Sequence, residues 1–173
     1  VKVVPQLIDA APLKADIAMK GTGGASPRLD VTRGIVLLGP LRSELRGSIA
    51  LPPPNAPASP MRLDLTLAGA PQEIRSSDPA FHALAAASPA TWSTKASWEI
   101  KIAGAPEAPV QSGRVTLKPI LVESGPNKFA LDEVGADWSV TPDRRFTARA
   151  QGGGSGLSLR LDAKGSTKPG GES

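Results

Sequence analysis

The chain has 173 residues, of which 61 are Gly, Pro or Ala, while Leu, Val, Ile and Phe together fill 39 positions, about 23%. That apolar supply sits just above the roughly 20% below which disorder is the default, so a modest core is possible, and no apolar run approaches the roughly 18–20 residues of a membrane-spanning helix. The formal charge of +4 is scattered singly or in pairs such as Arg144 and Arg145, with only six aromatic residues to interleave, which argues against nucleic-acid binding.

Alternation of apolar and other residues predicts strands along most of the chain. Leu13, Ala15, Ile17 and Met19 begin the series, followed by Leu29 to Val36 and by Leu45, Gly47, Ile49 and Leu51. Pro52 to Pro60 (PPPNAPASP) cannot donate ladder hydrogen bonds and reads as a loop. Met61, Leu63, Leu65 and Leu67 form the next strand. A short helix is then predicted over 78–88, with Asp78 as N-cap, Pro79 at the first helical position and Pro89 as its stop.

Ala96, Trp98, Ile100 and Ile102 resume the alternation, then Val115 and Leu117, Val134 to Val140, Phe146 to Ala150, and Leu157, Leu159, Leu161 and Ala163. Turns are expected at 21–26, 105–109, 124–127 and 152–156. The sum is an all-β chain of about nine or ten antiparallel strands, one face apolar and one wet, arranged as an elongated, half-closed groove-like sheet or as a sandwich. Residues 1–165 are read as a single β-rich domain and 166–173 as a flexible tail.

Four predicted strands end alike, at Gly21, Gly69, Gly104 and Gly165, with the glycine in the apolar phase. The intervals of 48, 35 and 61 residues share no period, which speaks against a propeller or solenoid. Such a glycine either opens a turn or lets a ligand or a neighbouring backbone approach.

Catalytic chemistry has little to build on. The only histidine, His82, falls mid-helix in the prediction, and cysteine is absent, so thiolate nucleophiles, thiolate metal sites and disulfides are excluded. The acidic pairs Asp132 with Glu133 and Glu99 with Asp137 have nothing in the sequence to aim them at a pocket, and the glycine clusters lack the Lys and Ser/Thr of a phosphate loop. The expectation is a protein that is not an enzyme and carries no cofactor and no metal. A cysteine-free chain also suits an oxidising compartment such as the bacterial periplasm.

Trp98 and Trp138 lie in the apolar phase of their strands, and with Trp92 they make half of the aromatic residues. They either pack a core or line an open apolar groove. Inner positions filled by Ala and Gly give thin layers, which suit close sheet packing or a gutter that shelters acyl chains. The groove reading selects Ile17, Leu65, Trp98, Ile100, Leu117 and Leu159 as candidate lining residues for lipid or a partner strand.

The strand endings, with Leu45-Arg-Gly-Ser-Ile-Ala-Leu51 and the run from Thr91 to Ile102, resemble the AsmA and TamB superfamily of bacterial envelope proteins. The chain is also similar in size and texture to the periplasmic part of the type II secretion N protein, which is related to that superfamily. The likeness covers most of the chain and is one of texture, so no functional residue carries over by position. It implies an elongated antiparallel sheet folded into a hydrophobic groove, and a periplasmic role in envelope biogenesis or secretion. It also implies envelope or secretion-machinery partners, phospholipid as ligand, and an inner-membrane anchor ahead of Val1. The proline loop and the predicted helix depart from that pattern. A competing expectation is a scaffold or adhesion-type β-sandwich that binds protein or glycan through loops such as Pro52 to Pro60.

Overall fold

The computed structural model describes residues 13–78, 90–154 and 156–166. Ten strands follow in chain order: β1 (Leu13–Thr22), β2 (Arg28–Leu38), β3 (Leu41–Ala50), β4 (Arg62–Arg75), β5 (Thr91–Gly104), β6 (Val110–Ser124), β7 (Asn127–Leu131), β8 (Glu133–Val140), β9 (Arg145–Gly154) and β10 (Leu157–Ser166). All belong to one antiparallel sheet in which each strand pairs with its sequence neighbour, except that β7 and β8 both lie along β6. β7 covers Ile120–Ser124 and β8 covers Gln111–Leu117, so the two act as one strand interrupted at Asp132. The sheet does not close, and among the described residues there is no second layer. The sandwich alternative is thereby corrected to a single open sheet.

No helix occurs among the described residues. The predicted helix over 78–88 lies outside them except for Asp78, which sits in a turn where its Oδ2 accepts from the Arg75 backbone N–H at 2.8 Å. The predicted tail over 166–173 also lies outside them except for Ser166, the last residue of β10, paired with Arg145.

The alternation sorts side chains onto two faces, as the two-residue period of a strand requires. One row on the apolar face runs Leu45, Leu67, Ile100, Gly113, Trp138, Ala148 and Ala163 from β3 to β10. The corresponding row on the other face runs Glu44, Ala68, Glu99, Arg114, Asp137, Arg149 and Asp162.

Two prolines stand inside central strands, where the missing N–H is ordinarily excluded. Both sit at bulges. Ala70 and Pro71 of β4 oppose the single residue Ser97, and Lys118 and Pro119 of β6 oppose Lys95. On its other side, Pro119 falls in the gap between β7 and β8. These breaks form one line across β4, β5, β6 and the β7–β8 junction, and a bulge locally bends a strand and increases its twist. The β3–β4 ladder ends at Glu44 and Ala68. Beyond it the Gln72 side chain takes over, accepting from the Arg42 N–H at 2.8 Å and donating to the Arg42 carbonyl.

The four recurrent glycines divide. Only Gly104 closes its strand with a positive φ, of 97°. Gly69 and Gly165 lie inside β4 and β10, opposite Trp98 and Phe146, so an aromatic ring takes the space a side chain would need. Gly152 to Gly154, expected in a turn, belong to β9.

Candidate apolar groove

The groove forms where the line of bulges bends the apolar face. Side chains from β1 to β6 line one open cavity of about 630 Å³, including Leu13, Val36, Leu67, Ile100, Leu117 and Ile120. In a flat sheet β1 and β6 stand about 24 Å apart, so a shared groove reflects curvature of this face. The two buried apolar residues among those described, Ile74 and Ala96, line it, Ala96 between the two bulges and Ile74 beyond them. Among the described residues no large side chain is fully buried, which is the expected condition of a one-layer sheet.

Among the described residues no charged side chain lines the groove, and its polar groups are the hydroxyls of Ser43 and Thr94 and the indole N–H groups of Trp92 and Trp98. Ser43 is buried and its Oγ accepts from the Trp98 indole Nε1 at 2.9 Å. The Trp98 ring lies over Gly69 of β4 and so reaches β3. A Cβ built on Gly69 would stand 2.2 Å from Cε2 of Trp98. Trp138 covers Gly113 in the same way, at 2.1 Å from Cζ2. The Thr94 hydroxyl is also satisfied, donating to the Lys95 carbonyl at 3.4 Å.

Of the six residues selected from the sequence, Trp98, Ile100 and Leu117 line the groove. Ile17, Leu65 and Leu159 share its face but not its cavity: Leu65 pairs with Ile102, two places along from the lining pair of Leu67 and Ile100. Ile17 lies on the edge strand β1, 45% exposed. Leu159 lies on the opposite edge strand, β10. Sequence reasoning missed Ser43, Ile74 and Thr94 as lining residues, and Trp92, weighed with the other tryptophans as core or groove, lines it as well. Ile74 follows the bulge at Pro71, and the phase it takes there is legible only once the bulge is known.

The acidic pairs lie elsewhere. Glu99 and Asp137 flank Arg114 on the charged face, and Arg114 donates to Asp137 at 2.6 Å. That hydrogen bond, with the attraction of the Asp137 charge, raises the guanidinium pKa. Glu133 pairs with Lys118 at 3.0 Å, and the Asp132 N–H donates to the Gly153 carbonyl at 2.9 Å. His82 lies outside the described residues. Among the described residues no three His, Asp or Glu side chains gather as a metal site, and no helix is long and apolar enough to cross a membrane.

Comparison of the chain with protein-family models, with curated proteins and with solved structures found no match.

Proposed function

We propose that the protein is a non-enzymatic periplasmic component of envelope biogenesis or secretion, and that its apolar groove shelters lipid acyl chains or receives an apolar segment of a partner. The observation that carries this is the chemistry of the groove: about 630 Å³ open on one side, no charged side chain among the described lining residues, and two hydroxyls already engaged within the protein. Its size falls in the roughly 300–1,000 Å³ range of ligand sites. An acyl chain laid along it removes apolar surface from water at about 25 cal/mol per Å². Among the described lining residues no charged side chain is placed to hold a charged group. The absence of cysteine fits the proposed compartment.

The test is native mass spectrometry with lipid extraction on protein purified from a bacterial envelope. Wild type is compared with Ile100→Glu and Leu41→Glu, which each put a charge in the groove, and with Lys101→Gln on the other face. Phospholipid is expected in wild type and in Lys101→Gln, and is expected to be lost from the two groove variants while their circular dichroism remains that of a β protein. Wild type that emerges empty, or folded groove variants that retain lipid, would overturn the proposal.

A further inference from the structure

The sheet ends at β10, which pairs along all ten of its residues with β9 and, among the described residues, with nothing on its other side. Among the described residues no element covers this edge, and its three charged side chains, Arg160, Asp162 and Lys164, lie on the face opposite the leucines. The edge is regular in register, contains no proline and no bulge, and exposes Leu157, Leu159 and Leu161 at 55%, 49% and 60% on the apolar face. A long, flat edge with apolar side chains is a template for another strand.

We propose that the β10 edge pairs antiparallel with the β10 edge of a second copy of this chain, centred on Leu161. In that register Leu161 meets its own counterpart, Leu159 meets Ala163 and Leu157 meets Gly165, all on the apolar face. On the other face Arg160 meets Asp162 twice, once on each side of the axis. Moving the centre by one residue sets like charges opposite each other, Arg160 on Arg160 or Asp162 on Asp162 with Arg160 on Lys164. Moving it two residues onward sets Leu157 and Leu159 opposite positions beyond Ser166, the last described residue of β10, and moving it two residues back removes both pairs of Arg160 with Asp162. Half-step registers put apolar side chains against the charged face.

The charged row supports the same partner. From β5 onward it reads Glu99, Arg114, Asp137, Arg149, Asp162, with ion pairs from Arg114 to Asp137 at 2.6 Å and from Arg149 to Asp162 at 2.8 Å. Arg160 pairs with Asp162 of its own strand at 3.1 Å in the single chain, and Arg160 of the second copy is the next cation in the cross-strand alternation. A strand self-paired in this way carries its two-fold axis perpendicular to the sheet, so the contact is isologous and closed. Both apolar faces then lie on the same side of one continuous sheet.

The experiment is sedimentation equilibrium of the full chain across a concentration series. It compares wild type, Arg160→Glu, Asp162→Lys and a 1:1 mixture of the two variants. Replacing two attractive cross-strand pairs by two repulsive ones raises the dimer dissociation constant by about tenfold or more. Each variant alone is therefore expected to dissociate. The mixture is expected to recover the dimer, because the carboxylate introduced in one variant faces the ammonium introduced in the other, and the native Asp162 of the first faces the native Arg160 of the second. A second readout uses the absence of native cysteine. Opposed Cα atoms in an antiparallel pair stand about 4.5–5.5 Å apart, within the reach of a disulfide. Leu161→Cys is therefore expected to cross-link on oxidation, and Ile17→Cys on β1 is not. A monomeric wild type, folded charge variants that dimerise as well as wild type, or cross-linking through Ile17→Cys in place of Leu161→Cys would overturn the proposal.

Discussion

At the scale of single residues, the aromatic rings and the glycines beneath them organise the apolar face. Trp98 over Gly69, Trp138 over Gly113 and Phe146 over Gly165 are each directly opposed cross-strand pairs. The glycine lets the ring lie flat on the neighbouring strand, covering backbone that a one-layer sheet would otherwise leave wet. Gly69→Ala and Gly113→Ala force a methyl group into a ring and are expected to cost about 1–3 kcal/mol each by urea denaturation. Gly135→Ala is the control: a Cβ there meets nothing within 4 Å, and the substitution is expected to be neutral or mildly stabilising because alanine restricts the unfolded chain. The sequence shows the glycines in the apolar phase and the tryptophans in theirs. What faced what depended on register, which links residues 19 to 29 positions apart and leaves no local trace.

At the scale of elements, the bulges decide where the groove lies. Alternation runs until Leu67 and resumes at Ile74 in the same strand, because the extra residue at Ala70 and Pro71 resets the phase. The same happens in β6 at Lys118 and Pro119. Read locally, each proline ends a strand, so β4 and β6 look shorter in sequence than their 14 and 15 residues. β7 is missed altogether, since Asn127–Leu131 is too brief to alternate convincingly. Beyond the bulges Ile74 is buried against the groove. Ile74→Ala is expected to cost about 2–4 kcal/mol, measured by chemical denaturation, whereas an alanine at exposed Leu121 is expected to shift stability by under about 0.5 kcal/mol.

At the scale of the whole molecule, the open sheet presents one apolar face and one face of alternating charge. Hydrogen bonds from Arg149 and Arg160, outweighing partial desolvation, hold the Asp162 carboxyl below its usual pKa. A carboxyl depressed in the folded state stabilises it fully above the unfolded value of about 3.9. That contribution is lost as pH falls through the lower folded value. Melting temperature is therefore expected to fall as pH drops below about 4. Asp162→Asn is expected to flatten that fall, and added salt to shrink the difference, because these pairs are exposed and screened. The sequence by itself determined the β class, antiparallel pairing, the two unlike faces and most turns, because alternation and turn chemistry act over a few residues, while strand order came from the structure. Only the tertiary structure decided that the sheet stays a single open layer. It also decided that Trp98, Ile100 and Leu117 share a groove from which Ile17, Leu65 and Leu159 are set apart. Curvature arises where bulges align across several strands, and that alignment is a property of register, set between residues distant in the chain.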